Sequence, residues 1–322
     1  MKRELISFVI PCYNSEKTLQ SVIEELADVM KDSMSDYDYE VIMVNDGSKD
    51  HTFDVIEKIC SSFKNTKGID MAKNFGQHAA LMAGFRNVSG DKVICLDDDG
   101  QMPLESIPEL VRVCDSGYDV AFGRYEHKQH SFFKNIGSNI NQLMCRVLLE
   151  KPDEIEMNSF WCAQRFIIDE MVNYTGAYPY LAGLMLRATR NFANVDVKHR
   201  ARQEGDTGYS FKKLVALWMN GFTAFSIKPL RAATWCGFGC SVLGFIFMIV
   251  AIVRKFINPD VLLGYSSLLA LILFIGGMLM LMLGIIGEYV GRIYICINRS
   301  PQYVIKKVVS GETDNDEAMK KT

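Results

Sequence analysis

The residues best suited to chemistry are the run Asp97-Asp98-Asp99-Gly100-Gln101, which ends a short apolar stretch, Lys92 to Leu96. In an extended segment, residues two apart point the same way. Asp97 and Asp99 can therefore share a face and offer oxygens to a hard divalent ion. Mg²⁺ or Mn²⁺ held by one or two carboxylates commonly takes its other ligands from a diphosphate. Such an ion neutralises the charge that builds on a leaving diphosphate. The alternative is a solvated acidic turn, and Asp-x-Asp out of context is a weak signal. A second cluster, Asn45-Asp46-Gly47-Ser48-Lys49-Asp50, closes another apolar run. Its glycine permits a tight turn, and Asp46 is placed to accept hydrogen bonds from a base or ribose. Helix capping by Ser48 or Asp50 is the plainer reading of the same residues. A third, Asn74-Phe75-Gly76-Gln77-His78-Ala79-Ala80, opens a predicted helix, whose N-terminus favours an anion. Gly76 allows close approach there. His78 taken alone reads as a packed or capping histidine.

These clusters need strands and helices to bring them together. Residues 5–10, 39–44, 67–71, 92–96 and 118–122 are apolar and strand-like. Residues 16–31, 52–63, 77–88 and 104–115 carry apolar positions at helical spacing, such as Leu19, Val22, Ile23 and Leu26. Alternation of this kind predicts an α/β domain with a parallel sheet and helices on both faces. Ligands bind such sheets beyond the carboxyl ends of the strands. The polar clusters fall there, and so does Pro11-Cys12-Tyr13-Asn14 after the first strand.

The second half of the chain differs in kind. Residues 232–253 give 22 positions without a charge and 261–287 give 27. Each is long enough to cross ~30 Å of hydrocarbon as a helix. The link Arg254 to Asp260 is short, so the two are expected to form a hairpin with both flanks on one side. Lys228, Arg231, Arg292, Arg299, Lys306 and Lys307 outnumber Arg254 and Lys255, which predicts a cytoplasmic catalytic domain. Residues 211–227 are aromatic and amphipathic, fit to lie in a membrane interface. Basic segments at 124–134 and 198–213 border that region and suit a lipid-linked phosphate, although solvated faces would look the same. The expected division is a catalytic domain 1–210, an interface segment 211–231, a hairpin 232–291 and a tail 292–322, its last dozen residues disordered.

The whole is 322 residues long, with a net charge of −3 that gives no sign of nucleic-acid binding. Nine cysteines without C-x-x-C spacing suit a reduced compartment rather than a disulfide framework. Met1 to Ile10 only faintly resembles a signal peptide, because Pro11 cuts its apolar run short.

Taken together, Pro11-Cys12-Tyr13-Asn14, the Asn-Asp-Gly-Ser-x-Asp turn, Asn74 to Gly84 and the Asp-x-Asp-x-Gln run are similar to family 2 GT-A glycosyltransferases. More narrowly, the chain resembles the polyprenyl-phosphate glycosyltransferases over about residues 5–305, including Ile285 to Tyr294 at the end of the second span. The resemblance implies a Rossmann-like GT-A domain, amphipathic interface helices and a two-helix transmembrane hairpin, with some members tetrameric. It implies Pro11, Tyr13, Asn14, Asp46, Gly76 and Asp98 at the nucleotide-sugar donor, a UDP-sugar. Asp97, Asp99 and Gln101 would hold Mg²⁺ or Mn²⁺ and the diphosphate. Arg124, Lys134, Arg200 and Arg202 would guide the phosphate of a polyprenyl acceptor, with Arg124, Arg200 and Arg202 counted as catalytic beside Asp97 and Asp99.

The family pattern is broken in places. Gln-Asp-Pro-Pro-Glu is here Gln101-Met102-Pro103-Leu104-Glu105; Gly-Asp-Phe-Arg is Asn158-Ser159-Phe160-Trp161; Ser-Lys-Tyr is Thr207-Gly208-Tyr209. Trp161 in place of an arginine could give a stacking face for a sugar ring. The expected reaction is inverting transfer of a sugar to a polyprenyl monophosphate. Two alternatives stand beside it. A processive polysaccharide synthase would carry Gln-x-x-Arg-Trp and more spans, which this chain lacks. A non-catalytic sensor or scaffold on the same fold is the other.

Overall fold

A computed structural model describes residues 3–125, 151–198, 228–257, 265–298 and 300–311. The chain divides into two units, one from residues 1–213 with 300–322 and the other from 214–299.

In the first unit, apolar runs form strands and amphipathic runs form helices in strict alternation. They are β1 Leu5–Cys12, α1 Leu19–Ser33, β2 Asp38–Asn45, α2 Thr52–Ser62, β3 Thr66–Met71, α3 Gln77–Phe85, β4 Lys92–Cys95, α4 Ile107–Asp115 and β5 Val120–Tyr125. There follow β6 Trp161–Gln164, α5 Arg165–Val172, α6 Leu181–Ala188 and β7 Phe192–Val197. The strands predicted from sequence are all present. β1 pairs in parallel with β2 and β4, and β2 in parallel with β3. Phe8, Ile10, Met43 and Ile94 are fully buried between sheet and helices, as expected of strands covered on both faces. Gly84 lets α3 lie close on the sheet, since a Cβ there would run into Val9.

The parallel sheet predicted from sequence carries two antiparallel strands that were not. The eight strands run in the order β7-β5-β6-β4-β1-β2-β3-β8. β6 inserts between β4 and β5, antiparallel to both. It has four residues, Trp-Cys-Ala-Gln, too few to show a period. The last strand, β8 Ile305–Ser310, lies antiparallel on β3 at the opposite edge. Its residues fall within the segment expected to be a tail. Its two adjacent lysines, counted from sequence among the positive flanks of the hairpin, suit a charged edge strand.

The second unit contains two long helices, α7 Lys228–Ile257 and α8 Tyr265–Ile297. They meet at Cys240 and Met278, with sulfurs 3.3 Å apart, and Gly237 leaves room for the Met282 side chain. Their large apolar side chains are mostly exposed, for example Phe238, Leu243, Phe274 and Leu281. Among the described residues one stretch, Phe274–Ile297, is long and apolar enough to cross a membrane, and Ala233–Ile246 is a shorter apolar one.

Candidate active site

The loops after β1, β2 and β4 meet at the carboxyl ends of these parallel strands. Asp98 ties the first loop to the third: its carboxylate accepts from the Tyr13 amide at 3.0 Å and from the Ser15 hydroxyl. Thr18 adds a bond to the Asp98 carbonyl at 2.6 Å. The first loop is also tied to the second. Asn14 sits at φ 55°, a left-handed conformation that asparagine tolerates. Its amide donates to Ser48 Oγ and its side-chain oxygen accepts from the Lys49 amide, both at 3.0 Å. The N-cap position of α2 is His51 and carries no side-chain cap bond; Asp50, one residue earlier, accepts from the Thr52 amide and hydroxyl, while Ser48 serves the loop.

Asp46 is 3% exposed, and its two oxygens accept from the amides of Phe75 at 2.7 Å and Gly76 at 2.9 Å. Burial raises its pKa, and those two amides work against the rise. The expectation of an open acceptor for base or ribose therefore changes. Asp46 organises the turn before α3, and Gly76 begins that helix with φ 94°.

Asp97 is the centre of the arrangement. Its carboxylate accepts from Ser159 Oγ at 2.7 Å and from Gln77 Nε2 at 3.1 Å. Its pKa is pushed up to about 6, first by burial and then by the like charges of Asp99 and Asp98; the Ser159 and Gln77 bonds oppose the rise. Asp99 accepts from the Gln101 amide at 3.0 Å and from Gln101 Nε2 at 2.6 Å. Tyr125, at the end of β5, feels both carboxylates: burial first, then Asp97 and Asp99, push its pKa up to about 12. No ion pair among the described residues neutralises Asp97 or Asp98.

Gln77 and Ser159 were not read from sequence as partners of the acidic run. Ser159 lies 62 residues downstream of Asp97, and only its place in a broken family motif drew notice.

No group of three or more His, Cys, Asp or Glu residues able to hold a metal exists among the described residues. Asp97 and Asp99 with Gln101 are oxygen donors, two of them anionic. This set fits a hard cation that draws its remaining ligands from water and substrate phosphate.

The other expected residues are distributed as follows. Pro11 is buried in β1, whereas Tyr13 is 46% exposed beside Asp98. Arg124 lies at the same sheet edge, but its guanidinium forms a two-point pair with Asp196 on the neighbouring β7, at 2.6 and 3.0 Å. Lys134, Arg200 and Arg202, and nearly all of the interface segment, lie outside the described residues. Trp161 does not offer a stacking face. It is 3% exposed on β6, with its ring centroid 5.7 Å from that of Phe85.

His78 is a packed histidine. Nδ1 accepts from the Leu181 amide at 3.2 Å and the ring stacks on Tyr180. Burial pushes its pKa from the ordinary 6.5 down to about 4. The folded protein thus keeps His78 neutral where the unfolded chain would protonate it. Its contribution to stability is complete above pH 6.5 and is lost as pH falls toward 4. The loss is on the order of 3 kcal/mol. Thermal midpoints of the full chain in detergent should fall over that window, and His78→Gln should flatten the fall.

Residues 7–172, just over half of the chain, match the model for glycosyl transferase family 2, and residues 228–293 match that for the GtrB C-terminal hairpin. An undecaprenyl-phosphate 4-deoxy-4-formamido-L-arabinose transferase of Photorhabdus laumondii is 33% identical over 97% of this chain and 96% of its own length. The uncharacterized glycosyltransferase YkcC of Bacillus subtilis is 32% identical over 94% and 93%. Among solved structures, glucosyl-3-phosphoglycerate synthase of Mycobacterium tuberculosis, crystallised with Mn²⁺ and UDP-glucose, superposes with a TM-score of 0.50. That match has 20% identity and covers 67% of this chain and 75% of the other, which establishes the shared fold. The acidic loop, the sheet that carries it and these end-to-end matches agree, and the chain belongs to glycosyl transferase family 2.

Proposed function

We propose that the protein transfers a sugar from a nucleoside-diphosphate donor, UDP in the first instance, to a polyprenyl monophosphate. One observation carries this reading. The similarity to undecaprenyl-phosphate sugar transferases runs through both the catalytic and the helical unit, with hardly any of either chain left over.

Tyr13 is the exposed side chain at the donor end, and a uracil ring would lie against it. Asn14 and the Gly76 turn line the neighbouring backbone. Asp46 and Asp98 work from beneath by fixing the loops. A divalent ion bound by Asp97, Asp99 and Gln101 would supply charge neutralisation at the diphosphate. Ser159 and Gln77 hold the Asp97 carboxylate in one orientation.

The acceptor phosphate is largely dianionic near neutral pH, its second pKa being ~6. Its oxygen attacks the anomeric carbon as the bond from that carbon to the diphosphate breaks. The configuration inverts, and the electron pair leaves with UDP. No hydroxyl has to be deprotonated, so a serine at position 159 in place of a carboxylate is compatible with catalysis. The task of the protein is alignment and charge shielding. Arg124, exchanging one contact with Asp196, is a candidate for the incoming phosphate, together with Lys134, Arg200 and Arg202.

The helical unit is read as a membrane hairpin. The chain leaves the catalytic unit before residue 214 and rejoins it at residue 300, so the number of crossings between them is even. Two long apolar helices lie within that interval. With the lysine and arginine excess on the flanks, this favours a catalytic unit on the cytoplasmic side.

The test is a donor screen. Purified protein in detergent is supplied with Mn²⁺ or Mg²⁺, undecaprenyl phosphate and single UDP- or GDP-sugars. Nucleoside diphosphate release and a lipid-linked sugar are expected from one UDP-sugar, dependent on metal and lipid. Release unaffected by omission of the lipid would remove the acceptor assignment.

A further inference from the structure

We propose that Lys306 is a positioning residue for donor binding, acting through Asp70, Asn45 and Ser48 on the turn that carries Tyr13 and Asn14. The inference rests on reading that turn as part of the donor pocket.

The chain of contacts begins at a buried charge. Asp70, near the end of β3, is 6% exposed. One carboxylate oxygen accepts from Asn45 Nδ2 at 2.7 Å, and the other lies 3.3 Å from Lys306 Nζ. Asn45 is itself 4% exposed, and its oxygen accepts from the Ser48 amide at 3.2 Å. Ser48 Oγ then holds the Asn14 amide at 3.0 Å. Each partner orients the next, because an amide that donates through one end must present its oxygen from the other.

Lys306 reaches Asp70 through an irregularity in the sheet. β8 pairs Lys307 with Asp70 and Ile305 with Met71, which leaves Lys306 as an extra residue without a partner in register. A bulge of this kind re-aims a side chain. In regular pairing Lys306 would oppose Met71 and face away from Asp70. Here two consecutive lysines serve separate carboxylates on one side of the sheet: Lys306 takes Asp70, and Lys307 takes Glu57 on α2.

The energetic logic is that of a buried carboxylate. Lys306 supplies its cation, and its ammonium end remains largely in water, the side chain being 70% exposed. Without it Asp70 keeps the Asn45 amide alone. A buried charge left short of partners reorganises its surroundings, and the nearest movable group is Asn45. The Ser48 amide then loses its acceptor, and the left-handed Asn14 loses the support that fixes it. Lys306 lies in the segment that follows the helical unit, so the donor turn is organised by residues from both ends of the sequence.

The test measures binding of UDP with Mn²⁺ to the full chain in detergent, and donor KM and kcat for the sugar nucleotide found in the screen. Lys306→Met is expected to weaken UDP binding and raise donor KM by roughly tenfold, about 1.4 kcal/mol, with kcat at saturating donor within about twofold. Lys306→Arg should restore both values, because a cation at that place is what Asp70 requires. Lys307→Met is the control for general loosening of β8 and should leave UDP binding unchanged. If Lys306→Met does not fold, Lys306→Gln carries the same comparison. Unaltered UDP binding in the Lys306 variant, or an equal loss in Lys307→Met, would overturn the inference while the donor-site reading stands. Wild-type protein that binds no UDP at all would remove the donor-site reading and this inference with it.

Discussion

Asp99→Asn is expected to lower sugar transfer by roughly 10³-fold, the several kcal/mol that a charge-neutralising ion contributes, and to leave fold and membrane insertion intact. The substitution keeps the shape of the side chain. Its oxygen can still accept from the Gln101 amide, as Asp99 does at 3.0 Å. The other Asp99 oxygen accepts from Gln101 Nε2, and that side-chain amide must turn its own oxygen toward the nitrogen that the substitution introduces; the change then removes charge at the cost of one reoriented side chain. It also removes one of the like charges that, after burial, help to push the pKa of Asp97 up to about 6. The Asp97 pKa should fall, and the ligand-free protein should melt no lower than wild type. Two readouts separate a metal role from a structural one. In wild type, Mn²⁺ with UDP should raise the thermal midpoint, because a ligand that binds only the folded state stabilises it by mass action. In Asp99→Asn that rise should vanish together with turnover. EDTA should abolish turnover in wild type and should have no further effect on the variant. An active Asp99→Asn enzyme would remove Asp99 from the metal set.

The acidic run was legible in the sequence for a topological reason. Parallel strands place their carboxyl ends on one edge, so polar clusters after β1, β2 and β4 had to meet once the strands were recognised. Apolar runs such as YEVIMV and the helical spacing of Leu19, Val22, Ile23 and Leu26 made those strands and helices readable. What remained hidden depends on contacts distant in sequence. Ser159 bonds to Asp97 from the loop before β6, and β6 is too short to show a pattern. β8 reads as Ile-Lys-Lys-Val-Val-Ser, and only its pairing with β3 shows why two lysines sit side by side. Trp161 illustrates the reverse error. Its place in a family motif suggested a ligand contact, while the strand it belongs to turns it into the core. The direction in which Asp46 and Asp98 face was equally inaccessible. Their types suggested ligand contacts, and the structure gives both Asp46 oxygens to backbone amides and one Asp98 oxygen to the Tyr13 amide and the Ser15 hydroxyl.

That loop architecture sets the second large effect. Gly47→Ala is expected to destabilise the catalytic unit by about 2–4 kcal/mol and to weaken UDP binding at temperatures where the protein remains folded. Gly47 has φ 61°, a conformation costly for an L side chain. A Cβ added there would lie 2.5 Å from the Asn74 nitrogen and 2.8 Å from Lys73 Cα. Both are backbone atoms and cannot swing aside as the tip of a side chain could. Nor can the two turns simply separate. Asn74 Nδ2 donates to the Asp46 carbonyl at 3.1 Å, and the Asp46 carboxylate holds the Phe75 and Gly76 amides. Relief of the clash must break some of these bonds and strand a buried carboxylate. Gly100, in the acidic run, provides the comparison. Its φ of 69° carries a similar conformational cost, yet the nearest atom to its added Cβ would be Val22 Cγ2 at an ordinary 3.8 Å. Gly100→Ala should therefore lose about 1 kcal/mol, and the difference between the two variants isolates the steric part, about 1–3 kcal/mol. Thermal or chemical melts of the full chain in detergent give both values. Equal losses would mean that the 46–48 turn can retreat from residues 73–74 without cost, and that the close packing of the two loops is not what holds Asp46 in place.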